Sequence, residues 1–389
     1  MHVGRIIFAQ LIGHLPRHEF NKCVARYDGD YKFRGFSCRD QFLCLTFAQL
    51  TFRASLRDSE ACLRAVGGKL YHMGFRGRAP RSTVADANEA HDWRIYAGFA
   101  QALIPIARPM YANGGLAVDL DNTVFALDST AIELCLSLFR WTRFSAATAA
   151  VKIHTLPGLR GPIPALTGVS TAKKAGVKIL DTVIPEPGAF YGMDRGYVDF
   201  ARLHKLHLAL AFFVTRTKKG IRFKRRYSRP AGRTTGLRSD QTVVLAHPAS
   251  RKRYPEPLRL IRFHDETQAR YFRFLTTNFN LPAPMICPLY KCRWQVELFF
   301  KWIKQNLRIK AFYGNSGNAV KTQIGIAVPV YVLAAIIKKR LGLPGSLHEI
   351  LQVLSVTLFE QTPILQAFQG SGLPEIIDRF SNQLNLFEL

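Results

Sequence analysis

Acidic residues are scarce in this chain. Asp and Glu number 27 against 54 Lys and Arg in 389 residues, a formal net charge of +27. A protein this basic calls for a polyanionic partner, either nucleic acid or an anionic membrane. Long apolar runs are also missing. The longest, Ile324 to Ile337, contains Pro329 and Tyr331 and falls short of the roughly 20 positions of a spanning helix. Membrane insertion is therefore not expected. Arg5 and the short run Ile6 to Ile12 have no small-residue cleavage site after them, so no signal peptide is read here. The seven cysteines form no CxxC pair. That argues against a disulfide framework and a zinc finger, and for reduced thiols; a structural zinc site is not expected. Disorder is excluded in turn, because 48% of the residues are hydrophobic and 12% aromatic.

What is present falls into five stretches. Residues 1–75 read as helical and DNA-binding. Apolar residues recur at helical spacing through Phe42, Leu45, Phe47, Leu50, Leu56, Leu63 and Val66. Ser55 is placed to cap a helix that Gly67-Gly68 ends. Residues 76–118 read as a helical connector, one long helix capped by Ser82 or Thr83. Arg76, Arg78 and Arg81 in the basic turn before it face either phosphate or solvent. From 119 the pattern turns to β: NTVFALDST, AAVKIHTLPG, ALTGVSTAKK and GVKILDTVIP read as strands, DRGYVDFARLHKL as a helix, LALAFFVTRTKKG as a strand. Strands continue through 207–285 in QTVVLAHP, PLRLIRFH and RYFRFLTTNF. A long helix is expected from Pro288, another over 319–341, and 343–389 reads as a helical tail around EILQVL and EIIDRF. The sum is a mixed α/β protein.

The few acids stand where chemistry needs them. Asp128 closes the apolar stretch VFAL, and an acid there is costly unless it ends the strand or meets a cation. Asp194 follows a second apolar stretch in AFYGMDRGY. Tyr290, Arg293, Glu297 and Lys304, at about 100° per residue, lie on a helical stripe about 60° wide. A plain ion-pair ladder of Arg293 and Glu297 is worth only about 0.3–0.5 kcal/mol and leaves the tyrosine and the strand acids unexplained. Three carboxylates beside a basic helix suit two-metal phosphoryl transfer, since Mg²⁺ or Mn²⁺ prefers oxygen ligands.

These residues resemble a known family. Asp128 in LDST, Asp194 in MDRGYVDF and the spacing Tyr290-x2-Arg293-x3-Glu297-x6-Lys304 are similar to the DDE transposases of bacterial insertion sequences, in the branch with a Y-R-E-K signature (the IS-four family). The flanking RWQVELFFKWIKQNLRIKAFYGNS and NAVKTQI fit, and SLRD and STVADAN resemble the helical domain that precedes the catalytic core; the resemblance runs through most of the chain. It implies an RNase H-like core at 119–206 plus 286–342, with a β-domain inserted at 207–285. It implies metal ligation by Asp128, Asp194 and Glu297, about two Mg²⁺ or Mn²⁺ ions per site, and DNA contacts from Tyr290, Arg293 and Lys304. Cutting at the element's ends, joining of 3′ hydroxyls to target DNA, a homodimer on double-stranded DNA and a cytoplasmic, nucleoid-associated location follow from the same resemblance. Some relatives stack a flipped base on a tryptophan of the insert, but Trp93, Trp141, Trp294 and Trp302 all lie outside 207–285, so that role is not assigned.

Further DNA contacts are expected from the residues themselves. Lys152, with His154, belongs to the strand expected beside Asp128. Arg222, Lys224, Arg225 and Arg226 form the centre of the densest basic run, interleaved with Phe223 and Tyr227. Three other readings stay open: a nuclease of the same fold that cuts without joining, a DNA-binding protein without catalysis such as a transposition inhibitor, and a basic RNA-binding protein.

Overall fold

The computed structural model describes residues 4–31, 35–111, 120, 122–134, 137–139, 141, 149–158, 163–171, 176–230, 236–265, 269–293, 296–297, 300, 304 and 312–369. The expected helix around EIIDRF lies outside them. The chain divides into two compact units, Met1–Met110 with Trp302–Leu389, and Tyr111–Lys301.

The first unit is helical: α1 (Ile7–Gly13), α2 (Arg17–Arg26), α3 (Cys38–Leu50), α4 (Leu56–Val66), α5 (Arg81–Ala90) and α6 (Arg94–Ala107). Ser37 and Asp40 close a capping box on α3, which is buried along nearly its whole length. Ser55 caps α4 by accepting from the Asp58 amide, as the sequence suggests. The single long helix expected after Pro80 is two helices. Pro80 stands at the N-cap of α5, His91 is extended, and the Asp92 carboxylate accepts from the Arg94 amide at 2.8 Å to start α6. Arg76, Arg78 and Arg81 are exposed.

After residue 302 this unit contains α10 (Gly317–Arg340), α11 (Leu347–Thr357) and α12 (Ile364–Gln369). Helix α10 is apolar on every side, and such a helix belongs in a core. It is long and apolar enough to cross a membrane, but 94% of its apolar window is buried inside the protein. Gly325 lets α10 approach α6: a Cβ there would lie 3.3 Å from Tyr96 Cβ and 3.4 Å from the Ala97 amide nitrogen. Phe20, Phe42 and Phe99 interlock beside this contact, with ring centroids 5.1–5.5 Å apart.

The second unit is built on a nine-stranded sheet. Its strands are β1 (Val124–Leu134), β2 (Ala149–Pro157), β3 (Pro164–Thr171), β4 (Phe190–Met193), β5 (Phe212–Arg216), β6 (Phe223–Arg229), β7 (Leu237–Leu245), β8 (Leu258–Asp265) and β9 (Arg270–Thr276). Their spatial order is β3-β2-β1-β4-β5-β9-β8-β7-β6. Among the described strand pairs only β1–β4 and β4–β5 are parallel. Helix α7 (Phe200–Leu208) connects β4 to β5 and buries Leu203 and Leu206 against the sheet. Helices α8 (Pro248–Arg253) and α9 (Ala283–Lys291) complete the unit. The mixed α/β class is as expected. The strands within 207–285 do not form a separate layer, because β5 pairs with β9 and continues the same sheet. GVKILD, read as strand, is a 3₁₀ turn over Gly176–Asp181.

Two features hold the distal sheet together. Gly236 has φ +76°, and a Cβ there would meet the His264 carbonyl oxygen at 2.6 Å, so a glycine is needed where β7 begins. Arg259, almost wholly buried, donates to both oxygens of buried Asp240 at 2.9 and 2.7 Å and to the Leu281 carbonyl at 2.6 Å. At the far edge, β6 is exposed along its centre and carries Lys224, Arg225 and Arg226, with exposed Arg222 just before it. A charged edge strand resists pairing with other chains and presents its cations to any polyanion.

Candidate active site

Strand β1 changes partners at its middle. Val124–Leu127 pair in parallel with Phe190–Met193, and Asp128–Leu134 pair antiparallel with Ala149–Thr155. Asp128 therefore sits inside an eleven-residue strand and not at its end, as the sequence suggested. The acid is tolerated because β4 stops at Met193, opposite Leu127, and leaves that side of Asp128 open. Asp194 is the next residue after β4. Asp194 thus follows the carboxyl end of β4, and Asp128 stands one position beyond the parallel-paired part of β1, the end of a parallel segment where open α/β sheets bind ligands.

The third acid arrives from α9 and the chain after it. The single helix expected from Pro288 begins at Ala283 and ends at Lys291; Cys292 and Arg293 form a turn, and Val296 and Glu297 are helical again. The stripe of one straight helix is therefore broken at Arg293, yet its residues still converge. Arg293 donates through Nη1 to Asp128 Oδ2 and through Nη2 to Glu297 Oε1 at 3.2 Å. Tyr290 Oη donates to Asp194 Oδ1 at 3.4 Å. The Ser129 amide donates to Asp128 Oδ1 at 2.8 Å, and the Gly196 amide to Asp194 Oδ2 at 3.3 Å. One guanidinium and one phenol thus tie three carboxylates into one cluster.

Electrostatics make this cluster demanding. If all three carboxylates are ionised, the one guanidinium leaves an excess of two negative charges. Burial raises Asp128 above the usual carboxylate range, and the Asp194 charge adds to it, while Arg293 and the Ser129 amide pull the other way. Burial also raises Glu297, with Asp128 and Asp194 adding to the rise against Arg293. Burial works against the charge on Arg293, but Asp128, Tyr290 and Glu297 together outweigh it and raise its affinity for the proton. Burial raises the Tyr290 phenol and keeps it a donor. Among the described residues the buried Nε of Arg293 donates to no acceptor. Hard oxygen donors with an uncompensated double negative charge fit a divalent ion of the Mg²⁺ class.

A pH dependence follows. The metal-free fold binds protons at Asp128 and Glu297 more tightly than the unfolded chain does, so their contribution to stability is lost as pH rises through the raised range. An ion held by these acids would need both carboxylates deprotonated. Any rise in Tm produced by Mn²⁺ is thus expected to grow as pH rises through the raised carboxylate range, and thermal melts with and without Mn²⁺ check it.

Lys152 and the β6 cations lie elsewhere in the second unit. Lys152 pairs with Ala131 and His154 with Ser129. By the alternation of a strand both belong to the sheet face opposite Asp128, so the structure does not bring Lys152 to the acids. His154 Nε2 lies 2.7 Å from Ser170 Oγ. Lys304 is a half-buried helical residue of the first unit. Arg222, Lys224, Arg225 and Arg226 are at the β6 edge, at the opposite end of the strand order from β3.

A cavity of about 200 Å³ beside Tyr290 and Arg293 was not foreseen from the sequence. Arg216, Arg270 and Lys291 bring three more cations to it, and Phe272 and Phe274 form its apolar wall. The Arg216 guanidinium lies over the Phe272 ring at 5.1 Å, and the Phe274 and Tyr290 rings are 5.2 Å apart. Only the position of Lys291 next to Tyr290 hinted at this. The other cations are 54 positions apart in sequence and meet because β5 pairs with β9.

Comparison with known proteins matches this site to a family. Residues 119–333, more than half of the chain, match the model of the transposase DDE domain, and residues 3–76 match a domain of unknown function. The chain is 35% identical over 214 residues to "Putative transposase y4zB" of Sinorhizobium fredii, a match covering 54% of this chain and 59% of that protein. It is 29% identical over 217 residues to "Probable transposase for insertion sequence element IS5377" of Geobacillus stearothermophilus, covering 53% and 54%. It is 27% identical over 254 residues to "Putative transposase for insertion sequence element IS4SA" of a Synechocystis species, covering 63% and 66%. The chain thus spans between about half and two thirds of these relatives. Among solved structures it is similar to a piggyBac transposase in a synaptic complex with hairpin DNA, at 10% identity and a TM-score of 0.45, covering 94% of this chain and 80% of that one. The match that includes Asp128, Asp194 and the Y-R-E-K residues establishes that the chain belongs to the transposase DDE domain family.

Proposed function

We propose that this protein cuts DNA at the ends of its insertion sequence and joins the freed 3′ ends to target DNA. The observation that carries this reading is the convergence of Asp128, Asp194 and Glu297, tied by Arg293 and Tyr290, just past the parallel-paired segments of β1 and β4. The domain plan that goes with it is an RNase H-like core over 119–206 plus 286–342, an insertion over 207–285, a DNA-binding region at 1–75, a connector at 76–118 and a helical tail at 343–389.

Asp128, Asp194 and Glu297 would hold Mg²⁺ or Mn²⁺, as a pair. Such ions activate the attacking oxygen and neutralise the leaving one. The residues of the chain supply the rest. The phenol of Tyr290 orients Asp194. Arg293 offers a planar fork that matches a phosphate as well as a carboxylate. Arg216, Arg270 and Lys291, around the adjoining cavity, attract the phosphates that flank the cut. Lys304 is assigned a phosphate contact by the family spacing alone. Two element ends must be brought together, so a homodimer on DNA is the expected assembly.

The β6 edge is assigned to backbone contact, which is sequence-independent and salt-sensitive. Replacing Arg222, Lys224, Arg225 and Arg226 with alanine is expected to weaken DNA binding and reduce the slope of log K against log salt by about 2–4, for two to four lost phosphate contacts. A salt titration of binding by anisotropy measures it; an unchanged slope places the DNA elsewhere.

The test of the function uses a plasmid carrying the DNA that flanks this gene, with its terminal repeats, and a second plasmid as target. Cuts at the repeats and joined products, both requiring Mg²⁺ and lost with chelator, are the expected result. Cutting without joining would leave a nuclease. Tight, salt-sensitive binding with no cutting would leave a DNA-binding protein without catalysis.

A further inference from the structure

We propose that Asp30, Cys38 and His91 form a metal site in the helical unit, one that takes a borderline-soft divalent ion of the Zn²⁺ type. The site is separate in sequence and chemistry from the three acids, and it does not rest on the proposed reaction.

Asp30 lies in the turn after α2, Cys38 is the first residue of α3, and His91 follows α5. The separations of 8 and 53 positions make no recognisable motif. The fold nevertheless brings one oxygen, one sulfur and one nitrogen donor within 4.8 Å of one another. A tetrahedral ion with bonds of about 2.0–2.3 Å sets its ligand atoms about 3.3–3.8 Å apart, so side-chain movements of about 1 Å close the cluster. Cys38 and His91 are fully buried, while Asp30 is exposed and opens the cluster to solvent. That gives an ion an entry path.

The surroundings hold the donors in place. The Cys38 amide donates to Asp30 Oδ1 at 2.7 Å and fixes the carboxylate. His91 Nδ1 lies 2.7 Å from Gln41 Oε1. Gln41 itself is fixed, because its Nε2 donates to Asn88 Oδ1 at 2.7 Å and its Oε1 accepts from Tyr96 Oη at 2.6 Å. An amide oxygen cannot donate, so Nδ1 carries the proton and Nε2 the lone pair. A metal-binding histidine is normally held in this way, its other nitrogen donating to an oxygen behind it. Asn318 braces the same turn by donating to the carbonyls of Asn88 at 2.8 Å and His91 at 2.7 Å. Gly29 packs against the sulfur; a Cβ there would lie 2.8 Å from Cys38 Sγ.

The donor chemistry selects the ion. A thiolate and an imidazole favour Zn²⁺ and its neighbours over Mg²⁺ or Ca²⁺. One thiolate and one carboxylate balance a double positive charge, and three protein ligands leave one position for water. The competing account is a purely hydrogen-bonded turn that binds nothing.

Cobalt substitution of the full-length protein decides between them. After removal of adventitious metal, Co²⁺ is titrated in and the thiolate-to-cobalt charge-transfer band is read. One Co²⁺ per chain with that band, displaced by Zn²⁺, is expected. Cys38→Ser should abolish the band, and Cys62→Ser should leave it intact. Asp30→Asn, at an exposed position that does not threaten folding, should weaken Co²⁺ binding at least tenfold with unchanged far-UV circular dichroism. A wild-type protein without the band, a band that survives Cys38→Ser, or full affinity in Asp30→Asn would overturn the assignment.

Discussion

Glu297→Gln is expected to lower DNA cutting by on the order of 10³-fold or more while leaving the fold and DNA binding intact. The exchange is isosteric and removes one formal charge from the cluster. An ion in such a site supplies several kcal/mol of charge stabilisation in the transition state, and each 1.36 kcal/mol is a factor of ten in rate. Binding should persist because Glu297 repels phosphate, and removing its charge relieves that repulsion. Single-turnover cutting beside a binding titration gives both quantities. A variant that keeps more than a tenth of the wild-type rate would remove Glu297 from the ion site. The partner of Glu297 also matters: Arg293 Nη2 loses an ionic acceptor at 3.2 Å but keeps Asp128, so the local structure retains its strongest tie.

The second large effect is on stability, far from the chemistry. Arg259→Met is expected to destabilise the sheet unit by about 3–5 kcal/mol, because it leaves the buried Asp240 charge with only the looser Arg229 pair at 3.6 Å in place of its two-pronged partner. For a unit of this size that is a fall of roughly 6–20 °C in Tm. The cause is separable by a double variant. Adding Asp240→Leu removes the stranded charge and should restore most of the loss, since well-packed apolar residues replace buried ion pairs at little cost. Thermal denaturation of the three proteins tests it, and a single variant as stable as wild type would show that Arg229 alone compensates the Asp240 charge.

Much of the site was legible in the sequence because its spacing is local. Tyr290, Arg293 and Glu297 lie within eight positions, so any compact turn or helix gathers them. The break at Cys292 and Arg293 was not legible, since the helical periodicity passes through it unchanged. An acid inside an apolar strand looks costly, and the sequence therefore points to a strand end at Asp128. The relief comes from a neighbouring strand that stops one residue earlier, a fact of tertiary structure. GVKILD has β-like composition but forms a 3₁₀ turn, its Leu180 buried against the sheet core. Lys152 looked adjacent to Asp128, and only the register reveals the opposite face. The Asp30, Cys38 and His91 cluster left no trace in spacing, because three separate segments, two turns and a helix start, assemble it. The cavity beside Tyr290 escaped for the same reason, as Arg216 and Arg270 lie on strands paired with opposite direction.

Asp128, Asp194 and Glu297 are proposed to hold divalent ions in one place. Mn²⁺ binding to the complex of full-length protein and end DNA, followed by its paramagnetic resonance, tests this most directly. Wild-type protein should bind Mn²⁺ with an affinity at least tenfold above that of Asp194→Asn, with equal Tm before metal is added. Equal Mn²⁺ binding by the two proteins would contradict the account.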